Sequence, residues 1–402
     1  MRIGNEIEQL SGPVKISYLE PESTSLPTIL LFHDEHYSKQ GDCDDSEDGC
    51  FRLNDCYHIN DPQFLRLFDN YSTPEYPIHF YIEHPLDPEM IQKEHQANND
   101  YISDFLTKFK ICYSKKTSTR DKECPTKHCQ WHFIDTRFAF SGNNKDKYLY
   151  KGILLIREFL PRFFCEHKKG RFNEFYQFCT HLSSTEKKSL QYVLEWLDGP
   201  SFINKYITLD SGFLISKQIS KIDDVRYNDY GFWKDILIQS NRNYLIHYLK
   251  EEDDIVKQAF HNLLILYRDI LRLILTIETV DEPDTLFTNY KEKIIPYDAC
   301  DRESLYHLYN IYVFVSGSAF LDVYTISRML KTPGENEKKP YLCCVYIGRH
   351  HAEEISETLI KEFGYTLKGE SEGTNAENRR CQNTSELSFD IQKVLQRYRQ
   401  KY

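Results

Sequence analysis

Apolar positions along the chain fall into two kinds of run. Four are short and continuous: Thr28 to Phe32, Ile78 to Ile82, Trp131 to Ile134, and Tyr341 to Ile347. Their length and their aromatic or β-branched content are those of buried strands. Continuous burial predicts a mainly parallel sheet covered on both faces, with helices such as Asp61 to Phe68 and Pro88 to Phe109 packed between successive strands. The loops Gly41 to Cys50 and Ser114 to Lys127 are polar.

The second kind has helical period. From about Tyr148 to Thr279 glycine is scarce, and the segment Phe260 to Glu278 places Leu263, Leu264, Tyr267, Leu271 and Ile274 on one helical face. This block reads as a helical insertion or cap. A further helical stretch, Ser304 to Leu330, ends before Pro333 and Gly334 and leads into the last strand. Beyond Gly364 the composition turns polar and of low complexity, which predicts a mobile linker. A last helix follows, with Asn383 as its cap, Glu386 three positions on, and one stripe of Leu387, Ile391, Val394, Leu395 and Tyr398. Such a stripe docks on its own core or on a partner. The expected class is therefore α/β, a mainly parallel central sheet flanked by helices, with a helical insertion and a C-terminal amphipathic helix. The expected divisions are 1–147 and 280–365 for the two halves of the core, 148–279 for the insertion, and 366–402 for the linker and last helix. No internal repeat is visible.

Charge narrows the partners. Among 402 residues, 61 acidic side chains outnumber 50 basic ones, and neither sign gathers into a stripe. That excludes the electrostatic footprint of a nucleic-acid-binding protein. No window approaches about eighteen consecutive apolar residues, and Met1 to Ser11 lacks the apolar centre of a signal peptide, so neither membrane nor secretion is expected. A cytoplasmic setting follows, in which the twelve cysteines are expected to be reduced. Two groups, Cys43, Cys50 and Cys56 with His58, and Cys112, Cys124, His128 and Cys129, lack the paired knuckles of a structural zinc site.

Candidate chemistry gathers where the short runs end. Phe32 is followed by His33, Asp34, Glu35 and His36; Ile82 by Glu83 and His84; Ile134 by Asp135, Thr136 and Arg137; Gly348 by Arg349, His350 and His351. Loops beyond the carboxyl ends of parallel strands can bring side chains from several strands to one point. A chain re-entering solvent also turns polar there, so each end alone has an ordinary explanation. Acids and imidazoles brought together can hold a divalent ion that acidifies a bound water, or act without metal as base and orienter. Arginine can steady developing negative charge through its planar fork, and Arg137 and Arg328 are the candidates.

These residues also carry a family resemblance. The segment "YIGRHHAEEISETLIKEFGY" resembles the closing motif of the TraB/Tiki and erythromycin-esterase/ChaN-like superfamily, in a G-x-x-H strand end formed here by Gly348 and His351. "LLFHDEHYS" is similar to its opening strand, with Glu35 and His36; "HFYIEH" to its second, ending in Glu83; and "DVYTISRML" to the helix that carries an arginine, Arg328. His33 stands where the opening motif begins with glycine. The combination also looks like uncharacterised members in large DNA viruses.

The resemblance implies a repeated β/α scaffold with a strand-end pocket and a hydrolase chemistry that varies among members: metal-dependent peptide cleavage, metal-free ester cleavage, or haem and iron binding. On the leading reading, His36, Glu83 and His351 hold Zn, Mn or Co, Glu35 acts as base, Arg137 or Arg328 steadies charge, and the substrate is a small molecule or peptide. The rival is a catalytically inactive member serving as a viral structural or host-interaction protein, in the host cytoplasm or the virion. Its oligomer or virion contact would run through the C-terminal helix.

Overall fold

A computed structural model describes residues 9–35, 56–59, 61–85, 124, 126–135, 155, 180–197, 218–249, 272, 275, 318–331, 338–373 and 380–400. The expected helices Pro88 to Phe109 and Phe260 to Glu278 lie outside the described residues, apart from Arg272 and Leu275 in the second. The chain divides into two compact units, one of residues 1–135, 218–228 and 321–402, the other of 136–217 and 229–320.

In the first unit, in chain order, come β1 (Gln9–Ser11), β2 (Lys15–Pro21), β3 (Thr28–Asp34), β4 (Cys56–His58), α1 (Pro62–Asp69), β5 (Ile78–Pro85) and β6 (Gln130–Asp135). The second unit contributes α2 (Ser184–Leu197) and α3 (Tyr230–Leu249). A helix over 318–330, α4, brings the chain back into the first unit from residue 321. There follow β7 (Leu342–Gly348), α5 (Arg349–Phe363), β8 (Tyr365–Glu372), β9 (Cys381–Asn383) and α6 (Ile391–Arg399).

Six strands form one sheet in the order β6-β5-β7-β3-β2-β8, and β4-β1-β9 form a second, smaller one. The four strands expected from the apolar runs are β3, β5, β6 and β7, and they form one parallel run of the larger sheet, with β6 at its edge. The antiparallel edge of β2 and β8 was not expected. The sheet is thus mixed, and the fold is α/β.

Strand alternation sorts the side chains onto two faces. One face is oily: Leu30 and Phe32 of β3, Ile78, Phe80 and Ile82 of β5, and Leu342, Cys344 and Tyr346 of β7 join Phe64, Leu65 and Phe68 of α1 and Ile391, Val394 and Tyr398 of α6. Phe32, Phe64, Phe68 and Phe80 meet edge to face in succession, an arrangement that rings favour because their positive edges meet negative faces. The residues between, among them His33, His79, Tyr81 and Glu83, belong to the other face, against which α5 packs along β3.

Two expectations about the C-terminal region are corrected. The segment after Gly364 begins as a strand, β8, paired antiparallel with β2 over its length. Gly364 takes the left-handed conformation (φ 65°) that reverses the chain after α5, and Tyr365 donates to the Pro27 carbonyl at 2.8 Å. The polar composition misleads because this is an edge strand held by ladder hydrogen bonds, with Glu370 paired to Lys15 and Glu372 to Arg349. The last helix also starts later than expected. Asn383 caps only the short turn Thr384–Leu387, Ser388 is left-handed, and Asp390 caps α6 by accepting from Gln392 and Lys393. The stripe docks on the chain's own core, where Tyr398 donates to the Lys339 carbonyl at 3.2 Å.

The cysteine expectation also changes. Cys124 and Cys381 are each disulfide-bonded, whereas Cys129, Cys343 and Cys344 are free and buried.

Gly369 marks a close approach. The β2/β8 register shifts beside its partner Tyr18, and a Cβ on Gly369 would lie 2.3 Å from the Leu387 carbonyl oxygen. Gly369→Ala therefore forces backbone apart and is expected to cost about 1–3 kcal/mol. A urea unfolding midpoint unchanged by this substitution would show that the turn at Leu387 yields freely.

Candidate functional site

The strand-end residues separate into different structural roles. Asp34 is fully buried, and its Oδ1 accepts from Arg380 Nη1 at 2.8 Å; the same guanidinium also donates to the carbonyls of Gly12 and Glu35. This is a strut tying the end of β3 to the approach to β9. The Glu35 carboxylate reaches Arg349 at 3.7 Å, and Arg349 also holds Glu353 and Glu372, so Glu35 belongs to a half-exposed ion cluster.

His33 points onto the covered face. Its Nε2 lies 2.9 Å from Ser17 Oγ, and Ser17 donates to Glu370 Oε1 at 3.1 Å. Because the Ser17 proton goes to Glu370, Nε2 of His33 carries its own proton and donates to Ser17. Burial, with Lys15 and Arg349 nearby, pushes the His33 pKa down to about 3.

Three other residues converge. Gly348 opens α5 without a side-chain cap, and its N–H donates instead to Glu83 Oε2 at 2.7 Å, so the end of β5 caps the helix that follows β7. A carboxylate at a helix N-terminus satisfies a backbone donor and meets the positive end of the helix dipole. The other oxygen, Glu83 Oε1, lies 3.7 Å from Nε2 of His351, in the first turn of α5. Nδ1 of the same ring is 2.7 Å from Asp322 Oδ1 on α4. The imidazole is thus held between two carboxylates from different elements. All three side chains are at least nine-tenths buried, where electrostatic contacts are stronger than in water.

Of the residues expected at the site, the structure brings together Glu83 and His351. His36 and Arg137 lie outside the described residues. Glu35 faces Arg349. Arg328 lies elsewhere: six positions beyond Asp322, it is about 9 Å further along α4 at the usual helical rise. There its Nη2 approaches His132 Nδ1 at 3.4 Å. Tyr324 is buried on the same helix, with its phenol pKa raised by burial.

Asp322, His79, His132 and Arg380 were missed by reading strand ends. The signal for His79 was present, because Ile78-His79-Phe80-Tyr81-Ile82-Glu83 alternates strictly between apolar and polar or amphipathic residues. Asp322 stood in the quoted helix segment, but only the fold reveals its alignment with His351.

The donor chemistry suits a divalent metal in part. Two ligands of one tetrahedral ion lie about 3–4 Å apart, given metal–ligand bonds near 2 Å, and the His351–Glu83 separation falls in that span. A carboxylate on the ring's other nitrogen is the usual support for a metal-binding histidine. Among the described residues, no group of three or more His, Cys, Asp or Glu could hold a metal ion, so the set is two donors plus the expected His36. Comparison with known protein families, characterised proteins and solved structures finds no match. The functional reading therefore rests on geometry.

Two predictions follow from the buried charges. Arg380→Met strands Asp34 without its cation and is expected to cost about 3–5 kcal/mol, much of it recovered in the double variant with Asp34→Leu, as read from urea midpoints. The imidazoles generate the second. His33 and His79 have pKa values lowered to about 3, and that of His132 is well below the ordinary 6.5, mainly through burial. The unfolded chain then binds more protons than the folded one between about pH 3 and 6.5, so stability falls as pH drops through that window. Each imidazole contributes a slope of up to about 1.4 kcal/mol per pH unit. His33→Gln is expected to flatten the pH dependence of the unfolding free energy by about one proton, and an unaltered slope would mean that His33 is not buried neutral.

Proposed function

We propose that this chain is a hydrolase of the strand-end type, cleaving an ester or peptide bond with metal assistance, centred on Glu83, His351 and Asp322. The observation that carries this reading is the imidazole held between two buried carboxylates, one on each ring nitrogen. Two carboxylates flanking one imidazole are oxygen and nitrogen donors of the kind that hold a divalent cation.

Asp322 accepts the Nδ1 proton of His351 and so orients Nε2 toward Glu83. The Gly348 N–H holds Oε2 of Glu83, leaving Oε1 on the His351 side. His351 and Glu83, with His36 as third donor, would hold the ion. When bound, it supplies Lewis-acid polarisation of the scissile carbonyl and a more acidic water. Glu35 is the expected base, and Arg349 steadies its carboxylate. Without a metal, the same geometry makes His351 the base and Asp322 its orienter.

Among the described residues, no helix is long and apolar enough to cross a membrane. The setting proposed is the cytoplasm or a particle assembled there. The disulfides at Cys124 and Cys381 favour the particle, since such bonds are rare in reducing cytosol. The rival reading, an inactive interaction protein, is favoured by the engagement of Glu35 in the Arg349 ion cluster.

Metal analysis combined with hydrolysis of ester and peptide panels tests the proposal. Wild type is expected to carry one ion per chain, and Glu83→Gln or His351→Ala to lose it. Asp322→Asn is expected to weaken metal affinity about 10–100-fold with the fold intact. Activity that survives chelation but vanishes in His351→Ala selects the metal-free route. A wild-type chain that neither binds an ion nor hydrolyses any member of the panels supports the interaction protein.

A further inference from the structure

A second polar cluster lies on the same face of the sheet, toward the opposite ends of the strands. His79 precedes Glu83 by four residues on β5, a separation of about 13 Å along an extended strand. It meets His132 of β6, Tyr81 of its own strand and Arg328 of α4, all in the first unit.

The protons in this cluster are fixed by what each group can do. A guanidinium only donates, so His132 Nδ1, 3.4 Å from Arg328 Nη2, accepts. Both imidazoles are neutral, held so by burial and by the nearby charges of Arg328 and Lys331. The single proton of His132 is therefore on Nε2, which lies 3.1 Å from His79 Nδ1 and donates to it. The single proton of His79 is in turn on its own Nε2. The chain of donors runs from Arg328 through His132 to His79 and ends on an N–H that has no hydrogen-bond partner, on a residue only 3% exposed. Arg328 Nε is a second buried donor without a partner, and no carboxylate among the described residues pairs with that guanidinium.

We infer that Arg328, His132 and His79 form a binding site for a small oxyanion, a carboxylate or phosphate group, distinct from the Glu83–His351–Asp322 centre. An acceptor is required because both unpartnered groups donate. A metal ion does not fit, since the ring nitrogens are either committed to each other and to Arg328 or carry a proton. A negative charge fits better than water because the cluster carries an unbalanced positive charge. Each buried donor left unmet costs about 1–3 kcal/mol, and an oxyanion answers such a donor with a charge-assisted hydrogen bond. The site does not depend on the hydrolase reading.

The test uses the full chain with histidine nitrogens labelled with ¹⁵N, titrated with inorganic phosphate and separately with acetate, at constant ionic strength against chloride. Calorimetry of the same titrations runs alongside. The expected result is a saturable heat and a shift of the His79 Nε2–H signal, with both imidazoles in the Nε2-protonated form before addition. Response to phosphate alone assigns a phosphate group, and response to both assigns the charge shared with a carboxylate. Arg328→Gln, at a half-buried position, is expected to raise the dissociation constant about tenfold or more, the loss of one charge-assisted contact. Arg328→Lys, which keeps the charge but not the Nε donor, falls between. No saturable response to either anion, a response equal in Arg328→Gln, or a His79 ring protonated on Nδ1 overturns the inference.

Discussion

A strand in the middle of a doubly covered sheet meets water on neither face, and every polar side chain placed there must find a partner inside the protein. Most of what distinguishes this fold follows from that constraint. β3, β5 and β7 are such strands, and they carry His33, Asp34, His79 and Glu83 into the interior. Each polar residue recruits a partner from another element: Ser17 from β2, Arg380 from the approach to β9, Gly348 and His351 from the β7–α5 junction, and His132 from β6. The polar contacts are cross-links between elements, and they set the fold's register together with the aromatic core on the opposite face.

The constraint also explains why the cross-links differ in character. Where the partner completes both sides, as with Asp34 and Arg380, the pair is structural; replacing one member leaves a buried charge. Where one imidazole faces two carboxylates, as at His351, the ring is held in a defined orientation by groups from two other elements. Where a donor chain ends on an unmet N–H, as at His79, the protein offers a hydrogen bond that its own described residues do not accept. The same demand for satisfaction thus yields a strut, a candidate catalytic centre and a binding site on one sheet.

How far this could be read in advance depends on the range of the signal. The central parallel strands were legible because continuous apolar runs report burial directly, and Glu83 and His351 were legible because they sit where parallel strands end. The edge pair β2 and β8 was not, since Lys15, Ser17, Glu370 and Glu372 lower its hydropathy while satisfying one another across the ladder. The start of α6 was misplaced because two capping residues, Asn383 and Asp390, stand close together, and only the left-handed Ser388 separates the turn from the helix. Asp322 and Arg380 were out of reach for another reason: each partners a residue distant in the chain, and periodicity carries no such information.

His33 shows what a change of one residue in such a sheet entails. Glycine at that position would leave space against α5 and nothing to satisfy. A histidine fills the space but brings two ring nitrogens, of which Nε2 is met by Ser17 and Nδ1 is buried without a partner. Its presence is compatible with the fold because Ser17 and Glu370 extend the hydrogen-bond chain to the β8 edge, where Lys15 neutralises the carboxylate. The burial that keeps His33 neutral also removes it from acid–base work near neutral pH, since its pKa lies near 3. The imidazole near the end of β3 is therefore a structural member, in contrast to His351, whose ring is held by carboxylates instead of a hydroxyl.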